Sequence, residues 1–313
     1  MESIRCFDAH CDTVSRCMAA GEGLYENSGH IDLRRGLAFS AYAQIFALFF
    51  NSARSIGGRC LTAARHQHDF LIDELEKNAA YAVFCRTTAD IQHAAEQHKV
   101  AALLGIEGGE LLNCEPDNIE TAAAWGARYV TLTWNHANAL SGTNRERSDR
   151  GLTDKGRAFA RELYAHGILP DVSHLSDPGF WDLVELGLGP VIATHSNSRA
   201  LCPHPRNLTD DMFRAIVETG GAAGLNLYSE FVGGEDDSLD MLLRHVDHLL
   251  SLGGEDALCL GADMDGCDTL TGGLAGLQSI PALAETMLAH GFDRPLLDKL
   301  FYSNWMRVFS MME

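Results

Sequence analysis

The sequence predicts an α/β fold of the (β/α)8 TIM-barrel type, and three observations predict it. Short apolar runs rich in β-forming residues alternate with longer stretches of helical period. There are eight such runs. Each is apolar almost without a break, as strands covered on both faces are.

The runs lie at 4–7, 41–50, 100–106, 128–133, 168–172, 190–194, 221–227 and 258–262. Helical stretches separate them at 63–81, 119–125, 153–166, 178–186, 210–219 and 239–252. Helix starts carry good caps: Thr153 precedes DKGRAFARELYAHG, with Gly167 placed for a left-handed end, and Asp177-Pro178 and Thr209-Asp210-Asp211 read alike. The segment FVGGEDDS and the glycine-rich 266–276 read as loops beside the mouth of the barrel. A length of 313 residues suits one barrel with loop insertions, so 1–313 is expected to be a single domain; a doubly wound open sheet is the alternative.

Composition narrows the class. Hydrophobic residues make up 46% and charged residues 21%, the profile of a globular enzyme, and the net charge of −19 comes with no basic stripe, which speaks against nucleic acid. The nine cysteines include no zinc-finger pair and several lie in apolar runs, so reduced thiols are expected. The first strand begins almost at once, so no signal peptide is expected, and AYAQIFALFF is too short for a bilayer and contains Gln44. A cytoplasmic protein with no membrane partner is the expectation.

Five metal-type side chains stand at the ends of these runs: His10 and Asp12 in FDAHCD, Glu107 in LLGIEGGE, His174 in LPDVSH and His195 in VIATHS. Active residues of such barrels come from the C-terminal strand ends, and three imidazoles with two carboxylates suffice for two metal ions sharing one carboxylate. That chemistry belongs to hydrolases that use a metal-activated water. His10 and Asp12 are two apart, so on a strand both face one side while Ala9 and Cys11 point away. Glu107 has two oxygens with which to bridge; its alternative is the start of a helix, a place Glu110 suits better. Asp171 is a candidate partner for one of the rings. Asp263 in GADMDG ends the eighth run and suits an acid/base role, with Asp265 as competitor. Arg206 in HPRN suits a substrate carboxylate; its alternative is an ion pair with Asp210 or Asp211. His245 and His248 read as solvated helix residues.

In this order, FDAHCD, IEGGE, RYVTLTWN, DVSHLSD, PVIATHSNSRALCPHPRN, GLNLY and GADMDG resemble the renal (membrane) dipeptidase family, a two-zinc branch of the amidohydrolase-type barrels, over nearly the whole chain. The resemblance implies two zinc ions: His10 and Asp12 on the first, His174 and His195 on the second, Glu107 bridging. It implies Arg206 on the substrate's C-terminal carboxylate and Asp263 as the acid/base group. It implies hydrolysis of L-Xaa-L-Xaa or L-Xaa-D-Xaa dipeptides by a hydroxide shared between the zinc ions, and it is compatible with a homodimer. Animal members carry a substrate-binding histidine where this chain has Trp134; His136, two residues on, is expected to take over that work. Met264 stands where Phe is usual, and neither the secretion signal nor the lipid-anchor tail of the animal enzymes is expected.

Two other readings stay open. One is an amidohydrolase for another amide, a lactone or an ester; many such enzymes bridge their metals with a modified lysine, but the four lysines here (77, 99, 155, 299) avoid strand ends. The other is an inactive zinc-binding relative.

Overall fold

The structure, a computed structural model, describes residues 4–51 and 60–313. Its strands are β1 (Arg5–Cys11), β2 (Ala41–Phe49), β3 (Ala82–Phe84), β4 (Val100–Glu107), β5 (Ala127–Thr131), β6 (Leu169–Asp171), β7 (Ile192–Ala193), β8 (Ala222–Leu225) and β9 (Leu258–Leu260). Eight follow one another in the order β2-β1-β9-β8-β7-β6-β5-β4, and β4 pairs back onto β2, closing a parallel barrel. These eight are the eight apolar runs. The ninth, β3, escapes the pattern because it is short and its Val83 is exposed; it pairs with Val100–Ala102 beside the closed ring.

Strand alternation sorts the apolar side chains into two layers. Phe7, Ile45, Leu103, Leu169, Ile192 and Cys259 fill the barrel interior, and Trp305 and Phe309 of the last helix (Asn304–Ser310) join that cluster, with Trp305 Nε1 donating to Leu260 O at 2.7 Å. The opposite faces pack on the helical ring. In helix Asp210–Glu218 the buried residues are Met212, Phe213, Ala215 and Ile216, one stripe at helical spacing. Burying such a Phe or Ile contributes roughly 1.5–3 kcal/mol. Thr209 caps this helix by accepting from Met212 N, and Thr153 and Ser176 cap helices Asp154–Ala165 and Asp177–Glu185 in the same way.

One local irregularity places the first site residues. The register between β1 and β2 slips between Asp8 and Cys11. Such a bulge inserts one residue and turns the following side chains over. Ala9 therefore stays with Phe7 in the interior cluster, and Cys11 joins Cys6 in the outer one. This corrects the shared face expected for Ala9 and Cys11. Cys11 does point away from the mouth, its Sγ 3.7 Å from Ile45 O.

Gly224 and Gly261 show how tightly the barrel closes near the mouth. A Cβ at either would come within 2.0 Å or 1.7 Å of Thr194 O. No helix among the described residues is long and apolar enough to cross a membrane.

Candidate metal centre

The strand ends bring His10, Asp12, Glu107, His174, His195, Arg206 and Asp263 to one end of the barrel, all of them buried. Three imidazoles converge on one oxygen. Glu107 Oε1 lies 2.9 Å from His174 Nε2, 3.5 Å from His195 Nε2 and 3.7 Å from His10 Nε2. His10 Nε2 also lies 3.6 Å from Asp12 Oδ2 and 3.9 Å from Asp263 Oδ1. Two overlapping donor groups result, His10–Glu107–His195 and His10–Asp12–Asp263.

Each ring is held from behind by its other nitrogen. Nδ1 of His10 faces Tyr129 OH at 2.8 Å, that of His174 faces Asn135 Oδ1 at 3.1 Å, and that of His195 faces Thr194 Oγ1 at 2.8 Å. A neutral ring that offers Nε2 to a cation carries its proton on Nδ1, so all three oxygens act as acceptors. Thr194 in turn donates to Asp171 Oδ2, which also takes the Thr131 hydroxyl at 2.6 Å; Asp171 Oδ1 takes the Ser173 hydroxyl and the backbone N–H groups of Ser173 and Thr194. Asp171 thus reaches a ring through Thr194. Tyr129, Asn135 and Thr194 escaped the sequence reading as ring partners. The available signal was a polar atom inside or just after an apolar strand.

Burial, aided by Arg206 and His10, holds His174 and His195 well below the ordinary histidine range, so both are neutral. At His10 burial acts in the same direction, but Glu107, Asp12 and Asp263 outweigh it and push the ring up to about 10. Burial drives Glu107 and Asp263 upward, and His10 opposes that. Three buried carboxylates around one imidazole are costly unless cations join them. His10 Nε2 and Asp12 Oδ1 have no hydrogen-bond partner among the described residues. Imidazole and carboxylate donors with unmet capacity at one spot fit divalent ions of the zinc type.

The centre forms the floor of a cavity of about 610 Å³, whose walls include Phe49, Trp134, Asn135, Asn144, Arg145, His204, Arg206, Tyr228 and Phe231. Arg206 makes no pair with the acids of the following helix: Asp210 binds His248 at 2.8 Å and Asp211 binds Arg214 at 2.9 Å. Burial lowers its pKa to about 10, and its Nε and Nη2 have no hydrogen-bond partner among the described residues. Asp263 and Asp265 separate cleanly. Asp263 Oδ2 accepts from Asn226 at 3.0 Å, leaving Oδ1 toward His10. Asp265 is taken up by the Thr13 hydroxyl at 2.6 Å and His30 N at 2.7 Å. Glu107 ends β4, and Glu110 takes the short 3-10 turn Gly109–Leu112.

Two sequence expectations are corrected. His136 is absent from the cavity wall; it is half-buried in the loop beyond β5, its Nδ1 3.0 Å from Glu146 Oε1. Trp134 forms the wall instead, its ring 4.7 Å from that of Phe49. His245 is fully buried, accepting from Ser198 N at 3.1 Å and donating to Val232 O at 2.7 Å, because its helix turns that face inward.

The family model for membrane dipeptidase (Peptidase family M19) matches residues 1–313. An uncharacterized protein of the pqqA 5′ region in Klebsiella pneumoniae is 37% identical over 235 residues, which is 72% of this chain and 86% of that protein. The crystal structure of dipeptidase AC, a metallopeptidase, superposes with a TM-score of 0.89 at 28% identity, covering 99% of this chain and 100% of the other. A Rhodobacter sphaeroides metallopeptidase, liganded with a phosphinate mimic of the dipeptide L-Ala-D-Ala, gives 0.91 at 28% identity with the same coverage. This chain belongs to the membrane dipeptidase family, peptidase family M19, and is a hydrolase of peptide bonds.

Proposed function

We propose that the protein is a zinc dipeptidase acting on L-Xaa-L-Xaa or L-Xaa-D-Xaa substrates. One observation carries this reading: three imidazole nitrogens converge on Glu107 beneath a cavity whose wall holds a buried arginine with two nitrogens unpartnered among the described residues. The phosphinate-bound R. sphaeroides relative supports the L,D class.

His10 and Asp12 would hold one zinc, His174 and His195 the other, and Glu107 would reach both. Zinc bound there would polarise the scissile carbonyl and bring the pKa of a water from 15.7 to about 7, the value of the best-known zinc site. Asp263 receives the proton of the attacking water at Oδ1 and delivers it to the departing amine, while Asn226 holds Oδ2. Arg206 offers Nε and Nη2, two nitrogens along one edge of the guanidinium, which suit a carboxylate in bidentate fashion. A carboxylate fixed there sets the distance from chain end to scissile bond, and with it a preference for dipeptides.

The test compares a dipeptide with its C-terminal amide and with a tripeptide. Cleavage confined to the free dipeptide is expected. Equal cleavage of all three would remove the carboxylate clamp from the account.

A further inference from the structure

We infer that Asn135 is a catalytic residue whose amide is divided between two tasks: Oδ1 orients His174, and Nδ2 donates a hydrogen bond to the scissile carbonyl oxygen as negative charge builds on it. The inference rests on the dipeptidase reading above.

Asn135 lies just beyond β5 and lines the same cavity as Glu107 and His174. The Nε2 of His174 lies 2.9 Å from Glu107 Oε1, and with that nitrogen given to a cation held beside Glu107 the neutral ring carries its proton on Nδ1. That proton, at an Nδ1 to Oδ1 distance of 3.1 Å, requires the amide to present its oxygen to the ring. The amide orientation is thereby fixed, and turning it over would set two donors against each other. Its NH2 half is left without an acceptor among the described residues, on the wall of a cavity built for a peptide.

Other polar groups share that wall. Arg206 is assigned to the terminal carboxylate. Asn144 meets His174 through its backbone, whose N–H donates to His174 O at 3.1 Å, and among the described residues neither its side chain nor that of Arg145 has a bond to a site imidazole. Asp263 is assigned to take the proton of the attacking water, which calls for an acceptor. Asn135 combines a neutral donor with a rigid link to a ring that faces Glu107. A donor fixed in advance costs no reorganisation when charge develops, and removing one such donor lowers kcat by about 10²–10³-fold.

Asn135→Asp separates the two tasks, because it keeps an oxygen for His174 and removes the donor. The experiment measures kcat, KM and bound zinc per chain for wild type, Asn135→Asp and Asn135→Ala on one dipeptide. The expected result for Asn135→Asp is wild-type zinc content, a KM within about threefold, and kcat down about 10²-fold. Asn135→Ala should lose zinc as well, and with zinc in excess its kcat should fall to the level of Asn135→Asp; that arm decides the matter if the Asp variant does not fold. An Asn135→Asp enzyme within about threefold of wild-type kcat would reduce Asn135 to a positioning residue and overturn the inference. Zinc loss from the folded Asp variant would equally overturn the division of tasks. Failure of the wild type to cleave any dipeptide would instead overturn the dipeptidase reading, and this inference with it.

Discussion

His174 Nε2 stands 2.9 Å from Glu107 Oε1, and the same oxygen lies within 3.7 Å of the other two site imidazoles. A carboxylate at the meeting point of three rings is placed to reach two cations. Glu107→Gln keeps the shape and removes the charge. It should cut turnover by about 10³-fold or more and lower zinc per chain, since bridging and charge neutralisation fail together. Metal analysis and kcat check this; near-normal values for both would remove the bridging role.

The Tyr129 hydroxyl accepts from His10 at 2.8 Å, and Gly105 leaves room for its ring: a Cβ at 105 would lie 2.4 Å from Tyr129 Cζ. Tyr129→Phe should weaken metal binding about 10–100-fold, the usual effect of losing a partner behind a ligand. Gly105→Ala should displace the ring and destabilise the fold by about 1–3 kcal/mol. Metal competition titrations and denaturant melts read the two effects separately. Unchanged metal affinity in Tyr129→Phe would show that His10 needs no support.

Thr194 stands between Asp171 and His195, at 2.8 Å from each. Thr194→Val keeps the volume and breaks both bonds. The expected result is a loss of metal affinity of about 10–100-fold, smaller than that of Asp171→Ala, which strands five donors in the interior. Equal effects from the two variants would contradict a relay through Thr194.

The charge state of His10 gives a pH prediction. Its pKa before any cation binds is raised to about 10 by Glu107, Asp12 and Asp263 against the opposing effect of burial. Near pH 7 the ring is therefore protonated, and a cation must displace that proton. Metal affinity should rise with pH throughout the range below about 10, with at least one proton released per chain. Calorimetry in two buffers of different ionisation enthalpy measures the release. An affinity independent of pH would contradict the coupling of His10 to its carboxylates.

The barrel was legible because its eight strands are buried on both faces and so stand out as unbroken apolar runs. β3 lacks that burial and was silent. The five metal-type residues were legible for a related reason: each interrupts or ends such a run, where a charged group has no packing role. Beyond the strand ends, spacing loses its meaning. His136 follows Trp134 by two residues, but the backbone has left the strand by then, and the side chain turns to Glu146. Nearness to the strand end favours Asp263 over Asp265 but gives no physical reason for the choice. Both sit at positive φ, 59° and 66°, in one turn, and the choice is made by Thr13 and His30, which lie far away in the chain and occupy Asp265. The bulge in β1 is a pairing property of two strands, invisible in either alone.

Arg206→Met tests the clamp. With Nε and Nη2 gone, kcat/KM for a free dipeptide should fall about 10²–10³-fold, an effect on the scale of losing one partner of a buried charge pair. The C-terminal amide of the same dipeptide should lose far less. Equal losses would mean that Arg206 supports the wall and does not recognise a carboxylate.

The proposed activity of this cavity is dipeptide hydrolysis with zinc held by His10, Asp12, Glu107, His174 and His195. The most direct measurement strips the protein with a chelator and follows dipeptide hydrolysis while zinc is added back. The stripped protein should have no activity, with full recovery as occupancy approaches two zinc ions per chain. Activity that survives complete removal of metal, or a fully loaded protein that leaves every dipeptide intact, would contradict it.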